Sequence, residues 1–386
     1  MNLVTWSFPT TIVFGAGALS TLADHVKRVA AGASQGAPPN PRVLLVCDAG
    51  VVKAGILDRV KRELDKAGIP SATFDQVDPN PVEKNVFDGV EAYNAFVANM
   101  IVSVGGGSPL DTGKLIGLKA THERPLVDFD DAVDGGQFVG PTVPPMITIP
   151  TTAGTGSEVG RSGVVTLAAT GRKTVIFSPH LLAKVAILDP ELTRTLPKSV
   201  TAATGFDALT HCLESYCALG DHPMADAIAL GGLELCARYL ARAVETGDDL
   251  EARGGMMKAA MMGAVAFQKG LGACHSLAHP LSSEKGLHHG LANALCLPAV
   301  VELNQAAIPE KMERIRVILD PGSKTVASSL RALRARLGLP AGLGAQGVTQ
   351  ADIPKLADKA FEDACHRSNP RPTSRDDLAA LYAASL

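Results

Sequence analysis

Hydrophobic residues in the first half of the chain cluster in short β-branched runs that mostly end in Gly, Pro or Asp. The runs are TTIVFG, RVLLVCD, ANMIVSVGGG, PMITIPTT and KVAILDP, and helical stretches separate them. Strands that are apolar on both faces and alternate with helices form a parallel sheet with helices on both sides. The pattern therefore predicts an α/β unit built on a parallel sheet.

The second half of the chain has a different pattern. After LTRTLP the strand-like runs stop, and long alanine- and leucine-rich segments follow, such as MADAIALGGLELCARYLARAVE. We therefore predict an α/β domain over residues 1–196 and an all-helical domain over residues 197–386. Two domains also suit a chain of 386 residues, which exceeds the usual size of a single core. The segment AAGASQGAPPNP, residues 30–41, has the composition of a flexible surface loop.

Composition and charge argue against several classes of partner. The formal net charge of −3 gives no basic surplus of the kind that nucleic acid or anionic lipid attracts. The chain has no long uncharged apolar run and no recognisable signal sequence. Seven cysteines without CxxC spacing indicate reduced thiols. We expect a cytoplasmic protein that acts on small molecules and binds neither nucleic acid nor membranes.

The segment IVSVGGGSPLDTGK predicts an anion-binding site. Gly105, Gly106 and Gly107 follow an apolar strand and precede a helix, for which Ser108 is the predicted N-cap and Asp111 the acid of a capping box. Exposed backbone N–H groups and the helix dipole at such a start favour phosphate. The pattern matches neither GxGxxG nor a P-loop, so it does not identify the nucleotide. A glycine-rich turn that serves packing alone is the alternative.

Two further loops follow strands of the predicted sheet. PTTAGTGSE offers the hydroxyls of Thr151, Thr152 and Thr155 at the same sheet edge, where open parallel sheets bind ligands. Asp48 ends the run RVLLVCD, where a carboxylate accepts hydrogen bonds from ribose hydroxyls and repels a 2′-phosphate. That role favours NAD over NADP. A role for Asp48 as the cap of the following turn is an equally weighted alternative.

Histidines and one aspartate in the second half predict a metal site. In TGFDALTHCLESY, Asp207 and His211 are four residues apart in a helical context, so they share one helix face. The segment HSLAHPLSSEKGLHHG repeats this spacing in His275 and His279 and ends near His289. A mixed carboxylate and imidazole shell suits Fe²⁺ or Zn²⁺ and not magnesium or calcium. We predict His279 to lie outside the shell and the ligands to be Asp207, His211, His275 and His289.

Five motifs, taken in order, resemble those of the iron-containing (group III) alcohol dehydrogenase family. They are GGGSPLDTGK, PTTAGTGSE, TGFDALTHCLE, HSLAHPLSSEKGLHHGLANALCLP and NPRP. The resemblance covers nearly the whole chain. It implies a Rossmann-like, NAD-binding α/β domain followed by an all-helical metal-binding domain. It also implies a homodimer or larger homo-oligomer, often formed through an N-terminal edge strand, for which TWSFPTTIVFG is the candidate.

The resemblance also implies roles for particular residues. It gives the same four metal ligands, and it places His279 near the nicotinamide as a catalytic residue in proton relay. It implies NAD contacts for Asp48, Asn80, residues 107–111, residues 151–155 and Lys173. The implied reaction is hydride transfer between a primary alcohol, or its aldehyde, and NAD(H), with Fe²⁺ as the Lewis acid.

Two segments depart from the family pattern and suggest another substrate. EVGRSGVV introduces Arg161, and AFQKGLGACH introduces Gln268 and Lys269 ahead of His275. If the second segment is helical, Gln268 lies two turns before His275 on the same face, while Lys269 points elsewhere. We hypothesise that Arg161, together with Lys269, selects a semialdehyde or hydroxy acid that bears a carboxylate, as in maleylacetate reductase or a hydroxybutyrate dehydrogenase. A surface salt bridge is the alternative role for Arg161.

Two further interpretations stay open at this point. The first is a zinc-dependent enzyme of the glycerol-dehydrogenase or dehydroquinate-synthase type, which shares the fold. The second comes from a different class and is a metal-dependent hydrolase or a nucleotide-binding protein without catalysis.

Overall fold

The structure, a computed structural model, describes residues 8, 10–32 and 40–386. In this part of the chain, residues 10–152 and 157–195 form one compact unit, and residues 153–156 and 196–386 form a second. The domain boundary after residue 196 stays a prediction. Most of the predicted loop at residues 30–41 lies outside the described residues, whereas the predicted N-terminal edge segment is described at residues 8 and 10–15 and contains the strand Thr11–Phe14.

The first unit contains eight strands among its described residues. These are β1 (Thr11–Phe14), β2 (Val43–Val46), β3 (Ser71–Phe74), β4 (Met100–Gly105), β5 (Met146–Pro150), β6 (Ser162–Thr166), β7 (Lys173–Phe177) and β8 (Val185–Leu188). Six of them form a parallel sheet in the order β1-β8-β5-β4-β2-β3. The other two, β6 and β7, pair antiparallel in a separate ribbon. The helices of this unit are α1 (Leu22–Gly32), α2 (Ala49–Lys53), α3 (Ile56–Lys66), α4 (Glu83–Ala95) and α5 (Gly107–Lys119).

The predicted parallel sheet is confirmed, and its apolar strands explain its burial. The five predicted runs form β1, β2, β4, β5 and β8. All residues of β2, β4, β5 and β8 are buried, and two separate hydrophobic clusters contain alternate residues of these strands. The sequence pattern missed β3, β6 and β7. β3 has one buried residue in four, and β7 alternates between buried and exposed positions, so neither forms a continuous apolar run.

The second unit is helical, and residues 196–386 contain no strand. Its helices enclose one large hydrophobic cluster, which confirms the predicted all-helical second half. Among the described residues, no helix has the length and apolar character needed to cross a bilayer. The helices are α6 (Lys198–Cys217), α7 (Pro223–Glu245), α8 (Leu250–Ala266), α9 (Ala273–Lys285), α10 (His289–Asn304), α11 (Pro309–Leu319), α12 (Val326–Arg336), α13 (Ile353–Glu362) and α14 (Arg375–Ala384).

A close approach of α6 and α10 depends on Gly290. A Cβ atom added at Gly290 would lie 2.1 Å from the carbonyl oxygen of Ala203 and 3.1 Å from Cβ of Asp207. Any side chain at this position would therefore push the two helices apart. Glycine here allows the first residue of α10, His289, to lie beside Asp207.

Candidate metal centre and nucleotide-binding loop

Three of the four predicted metal ligands converge in the second unit. Asp207 lies in α6, His275 in α9 and His289 at the start of α10. Oδ1 of Asp207 lies 3.5 Å from Nε2 of His289 and 4.0 Å from Nε2 of His275. One ligand atom from each residue lies within 4.8 Å of the other two. This arrangement brings a carboxylate and two imidazoles to one point, as a metal shell requires.

The fourth predicted ligand, His211, lies beside this group, outside the three residues whose ligand atoms lie within 4.8 Å of one another. Its ring stacks on His275 with 4.6 Å between the ring centroids. Its Nδ1 atom is buried and has no hydrogen-bond partner among the described residues. Burial lowers the pKa of His211 to about 4, so the imidazole is neutral, which is the form that binds metals.

Two residues outside the predicted set orient the ligands. Nδ1 of His275 donates to Glu214 at 2.6 Å, and Nδ2 of Asn293 donates to Oδ1 of Asp207 at 2.8 Å. Because Nδ1 of His275 carries the hydrogen, its Nε2 atom presents a lone pair. That Nε2 is buried and has no hydrogen-bond partner among the described residues. A buried lone pair that faces a carboxylate fits a bound divalent cation, and Glu214 supplies the carboxylate that commonly supports such a histidine ligand.

The start of α9 is held by distant polar groups. Oε1 of Glu214 accepts a hydrogen bond from the backbone N–H of Cys274 at 2.7 Å. The helix dipole also favours the negative charge of Glu214 at this N-terminus. Oδ1 of Asn369 accepts one from the N–H of Ala273 at 3.2 Å. Asn369 is the first residue of the NPRP motif, so this motif supports the helix that carries His275.

A second cluster of possible metal ligands comprises His279, Asp363 and Cys365. Asp363 already accepts hydrogen bonds from Nδ1 of His279 at 2.7 Å and from the N–H of Cys365 at 2.8 Å. Burial, together with the charge of Asp363, raises the pKa of the Cys365 thiol well above its usual value. A protonated thiol and a carboxylate with its hydrogen bonds formed are poor ligands. The group around Asp207 is therefore the stronger candidate for a metal site.

Gln268 and Lys269 do not lie as the helical interpretation of their segment predicted. Residues 267–269 form a 3₁₀ turn, and Gly270 follows with φ +126°, so this segment is not continuous with α9. Nε2 of Gln268 donates to a carbonyl in the last turn of α8 at 2.9 Å. The buried ammonium of Lys269 forms an ion pair with Asp226. Both side chains are thus engaged within the helical unit.

The glycine loop of the first unit opens α5 without a side-chain cap. The predicted N-cap at Ser108 is wrong, because Gly106 is the N-cap and no side chain caps the helix. Ser108 lies in the first turn, where its hydroxyl donates to the carbonyl of Pro79 at 2.6 Å. Gly105 has φ +147°, a conformation that favours glycine. The first N–H groups of α5 are left without a cap, as an anion site requires.

The predicted capping-box role of Asp111 is also wrong. Its two carboxylate oxygens accept hydrogen bonds from the Ser157 hydroxyl and from the N–H of Val164. Nζ of Lys114, on the same helix, donates to the carbonyls of Ser157 and Ser162, both at 2.8 Å. Asp111 and Lys114 therefore fasten α5 to the chain that follows β5, because the fold offers Asp111 stronger partners than the helix start.

The remaining predicted cofactor residues lie in several places. The N–H of Thr151 donates to the carbonyl of Gly105 at 2.9 Å, and Thr152 lies against Gly106, so both belong to the glycine loop. Thr155 belongs to the second compact unit. Three more, in separate parts of the first unit, are Asp48, Asn80 and Lys173. Asp48 caps α2 by accepting from the N–H of a residue three positions on at 2.9 Å, as its alternative role predicted; Asn80 is exposed, and Lys173 begins β7.

Glu158 gives this unit a pH-dependent stability. Glu158 is buried, and burial raises its pKa from 4.5 to about 7, although Lys114 opposes the shift. Between these values the native state keeps a proton that the unfolded state has lost. The free energy of unfolding therefore falls as pH rises, by at most about 1.4 kcal/mol per pH unit. We compare the free energy of unfolding of Glu158→Gln with that of wild type by urea unfolding. From about pH 5 to about pH 8 we expect this difference to shift by about 2 kcal/mol in favour of the variant. An identical difference at both pH values would contradict this expectation.

A glycine-lined helix start at a parallel sheet and a group of one carboxylate and two imidazoles are features typical of metal-dependent, nucleotide-binding enzymes. Comparison with known proteins identifies the family. A model described as "Iron-containing alcohol dehydrogenase" matches residues 9–190. A second, described as "Fe-containing alcohol dehydrogenase family, C-terminal", matches residues 201–386. The chain belongs to the iron-containing alcohol dehydrogenase family, and it is an oxidoreductase that acts on alcohol or aldehyde groups.

Individual relatives support the same assignment. The chain is 41% identical over 355 residues to a 4-hydroxybutyrate dehydrogenase of Cupriavidus necator. The aligned region covers 89% of this chain and 92% of that protein. The crystal structure of a 1,3-propanediol oxidoreductase matches with a TM-score of 0.93, 36% identity and complete coverage of both chains. A sulfoacetaldehyde reductase of Bifidobacterium kashiwanohense in complex with NAD⁺ matches with a TM-score of 0.87 and 28% identity, over 100% of this chain and 99% of that chain. The family assignment sets aside the interpretation as a hydrolase.

Proposed function

We propose that this protein is an Fe²⁺-dependent, NAD(H)-linked alcohol dehydrogenase that interconverts a primary alcohol and its aldehyde. The observation that carries the proposal is the buried Nε2 of His275, which lacks a hydrogen-bond partner among the described residues and lies 4.0 Å from the Asp207 carboxylate. Oδ1 of Asp207 accepts a hydrogen bond from Asn293, but without a cation the lone pair on Nε2 of His275 would be left without a partner in an apolar core, which costs free energy.

The metal would be held by Asp207, His275 and His289, with His211 joining them. A bound divalent ion supplies Lewis acidity that lowers the pKa of an alcohol and polarises an aldehyde carbonyl. Glu214 keeps His275 in the tautomer that can bind the ion. We assign proton transfer to His279, whose Nε2 makes no hydrogen bond within the described part of the chain.

NAD would be held by the start of α5. The uncapped N–H groups of residues 107 and 108 suit the pyrophosphate. Asp48 uses one oxygen to cap α2, and its other oxygen suits the ribose hydroxyls, which favours NAD over NADP. We keep contacts to the cofactor as proposals for Asp48, Asn80, Gly105, Gly106, Gly107, Ser108, Asp111, Thr151, Thr152, Thr155 and Lys173.

A turnover assay with defined metals tests the proposal. Protein purified without oxygen is analysed for metal, stripped, and reloaded with Fe²⁺ or with Zn²⁺. Primary alcohols, diols and semialdehydes are then tested by NADH absorbance. We expect iron in the purified protein and NAD(H)-dependent turnover restored by Fe²⁺. Turnover restored only by Zn²⁺ would favour the zinc-dependent interpretation, and no turnover with either metal would overturn the proposal.

A carboxylate-bearing substrate is a second candidate, and Arg161 favours it. Arg161 is partly buried, and its guanidinium lies over the ring of Phe177 at 5.1 Å from the centroid. Within the described residues the guanidinium forms no ion pair or hydrogen bond, so the salt bridge considered above is not formed. A partly desolvated, unpaired guanidinium suits a carboxylate ligand. The 4-hydroxybutyrate dehydrogenase described above is named for a substrate of this kind.

Replacing Arg161 separates the two substrate classes. We expect Arg161→Ala to lower kcat/KM about 10- to 100-fold for a semialdehyde with a carboxylate and little for an uncharged aldehyde of equal length, because one charge-assisted hydrogen bond is lost. Arg124→Ala is the matched control, since Arg124 also lies over a ring, that of Phe138. Equal losses on both aldehydes would reject the role of Arg161.

We also propose that the protein works in the cytoplasm as a homodimer or larger homo-oligomer. All seven cysteines are free, which suits a reducing compartment. β1 lies at one edge of the sheet, and an edge strand offers backbone groups for pairing with a second copy. Sedimentation analysis of the purified protein tests the assembly, and a monomer at micromolar concentration would contradict it.

A further inference from the structure

The carboxylate of Asp363 reaches the helix that carries the metal ligand His275 from a distant part of the chain. Asp363 directly follows α13, 84 residues after its partner His279. Its Oδ2 atom lies 2.7 Å from Nδ1 of His279. Its Oδ1 atom accepts hydrogen bonds from the Ser276 hydroxyl at 2.7 Å and from the N–H of Cys365 at 2.8 Å.

The donors to Asp363 are themselves fixed. The Cys365 donor is a backbone N–H group. The Ser276 hydroxyl accepts a hydrogen bond from the N–H of His366 at 2.8 Å, so its own hydrogen is available for Asp363. These two donors set the direction in which the second oxygen of Asp363 faces His279.

The carboxylate determines which nitrogen of His279 carries the hydrogen. A carboxylate only accepts hydrogen bonds, so Nδ1 of His279 must donate. The other nitrogen, Nε2, then presents a lone pair, and it makes no hydrogen bond within residues 10–32 and 40–386. The ring also stacks on His289, with 5.3 Å between centroids and 16° between planes, which holds its orientation.

We propose that Asp363 is the positioning residue that holds His279 in the Nδ1–H tautomer, with Nε2 ready to exchange a proton with the substrate. This inference rests on the proposed function, in which His279 handles the proton. In alcohol oxidation the O–H bond of the substrate would break and its proton would pass to Nε2, while bound NAD⁺ would supply the acceptor for the hydride that leaves the carbon. Nδ1 keeps its hydrogen, and the resulting imidazolium is stabilised by Asp363. In aldehyde reduction, Nε2 returns the proton to the oxygen.

Asp363→Asn tests the role, because an amide can also donate and so permits the wrong tautomer. In the metal-loaded enzyme we expect kcat to fall about 10²-fold, with KM, metal content and thermal midpoint close to wild type. Asp363→Glu should restore part of kcat. Asp352→Asn is the matched control and should leave kcat unchanged. Asp352 lies at the opposite end of α13 from Asp363 and forms an ion pair with Lys285 at 2.6 Å.

A double-mutant cycle distinguishes positioning from structural support. If Asp363 acts only through His279, Asp363→Asn costs nothing further in a His279→Ala background. The same loss in both backgrounds, or loss of metal together with activity, would overturn the inference.

Ring ¹⁵N NMR of the zinc-loaded enzyme reports the tautomer without relying on activity. We expect a protonated Nδ1 of His279 in wild type and an altered tautomer in Asp363→Asn. An unchanged tautomer would overturn the positioning role. If His279→Ala keeps full kcat while the tautomer follows Asp363, the assigned proton transfer fails and the positioning role is supported.

Discussion

Replacing His289 by alanine is expected to remove the bound metal and to lower kcat/KM about 10³-fold or more. Nε2 of His289 lies 3.5 Å from the Asp207 carboxylate. Without this imidazole the remaining ligands are too few to retain a divalent ion during purification. The Lewis acid contributes several kcal/mol to the reaction, which sets the size of the effect. Metal analysis after gel filtration and the NADH assay measure the two losses together.

The neighbouring histidine supplies the control. His288 is exposed and lies just before α10, so His288→Ala makes the same chemical change one position away. We expect it to retain metal and activity. Metal retained in His289→Ala, or lost equally in both variants, would show that the metal lies elsewhere.

Replacing Lys114 by methionine is expected to lower the free energy of unfolding by about 3 kcal/mol. The ammonium is fully buried and donates to the carbonyls of Ser157 and Ser162. It also lies 3.7 Å from the Asp111 carboxylate. Methionine fills most of the volume but leaves these acceptors without a donor and a buried carboxylate without its cation. Urea unfolding measures the loss.

Lys119→Met is the matched control for that experiment. Lys119 lies at the end of the same helix and, like Lys114, donates to backbone carbonyls, in its case the three of His122, Glu123 and Arg124. It is only partly buried, so water can replace the lost hydrogen bonds. We expect a loss of about 1 kcal/mol or less. Similar losses of unfolding free energy for the two variants would show that the burial of Lys114 does not increase its contribution to stability.

The sequence predicted those parts of the fold in which a local pattern decides the structure. The central strands are apolar throughout, and the alanine- and leucine-rich composition of the second half marks its helices. The prediction was wrong at Ser108 and Asp111, where a good capping pattern was overridden by partners from elsewhere in the chain. The condition under which Gln268 would share a helix face with His275 is not met, because the positive φ at Gly270 ends the turn before α9 begins.

The site was predicted only in part, for a similar reason. Spacing identified the histidines, but Glu214 was missed although it follows His211 by three residues on the same helix, so helical spacing could have found it. No local signal marks Asp363, because its partner His279 lies in another segment of the chain. The residues that orient the histidines, such as Asp363, are brought to them by tertiary contacts, which a single sequence does not display.

The bond from Asn369 to the start of α9 also bears on when the site can form. Asn369 accepts from the N–H of Ala273, 96 residues earlier in the chain, and Asp363 lies 84 residues after His279. A ribosome therefore has to synthesise the chain at least as far as Asn369 before the helix that carries His275 gains this support. We expect the metal to bind only after the chain has been synthesised as far as Asn369, and truncations that remove Asn369 to accumulate as metal-free protein.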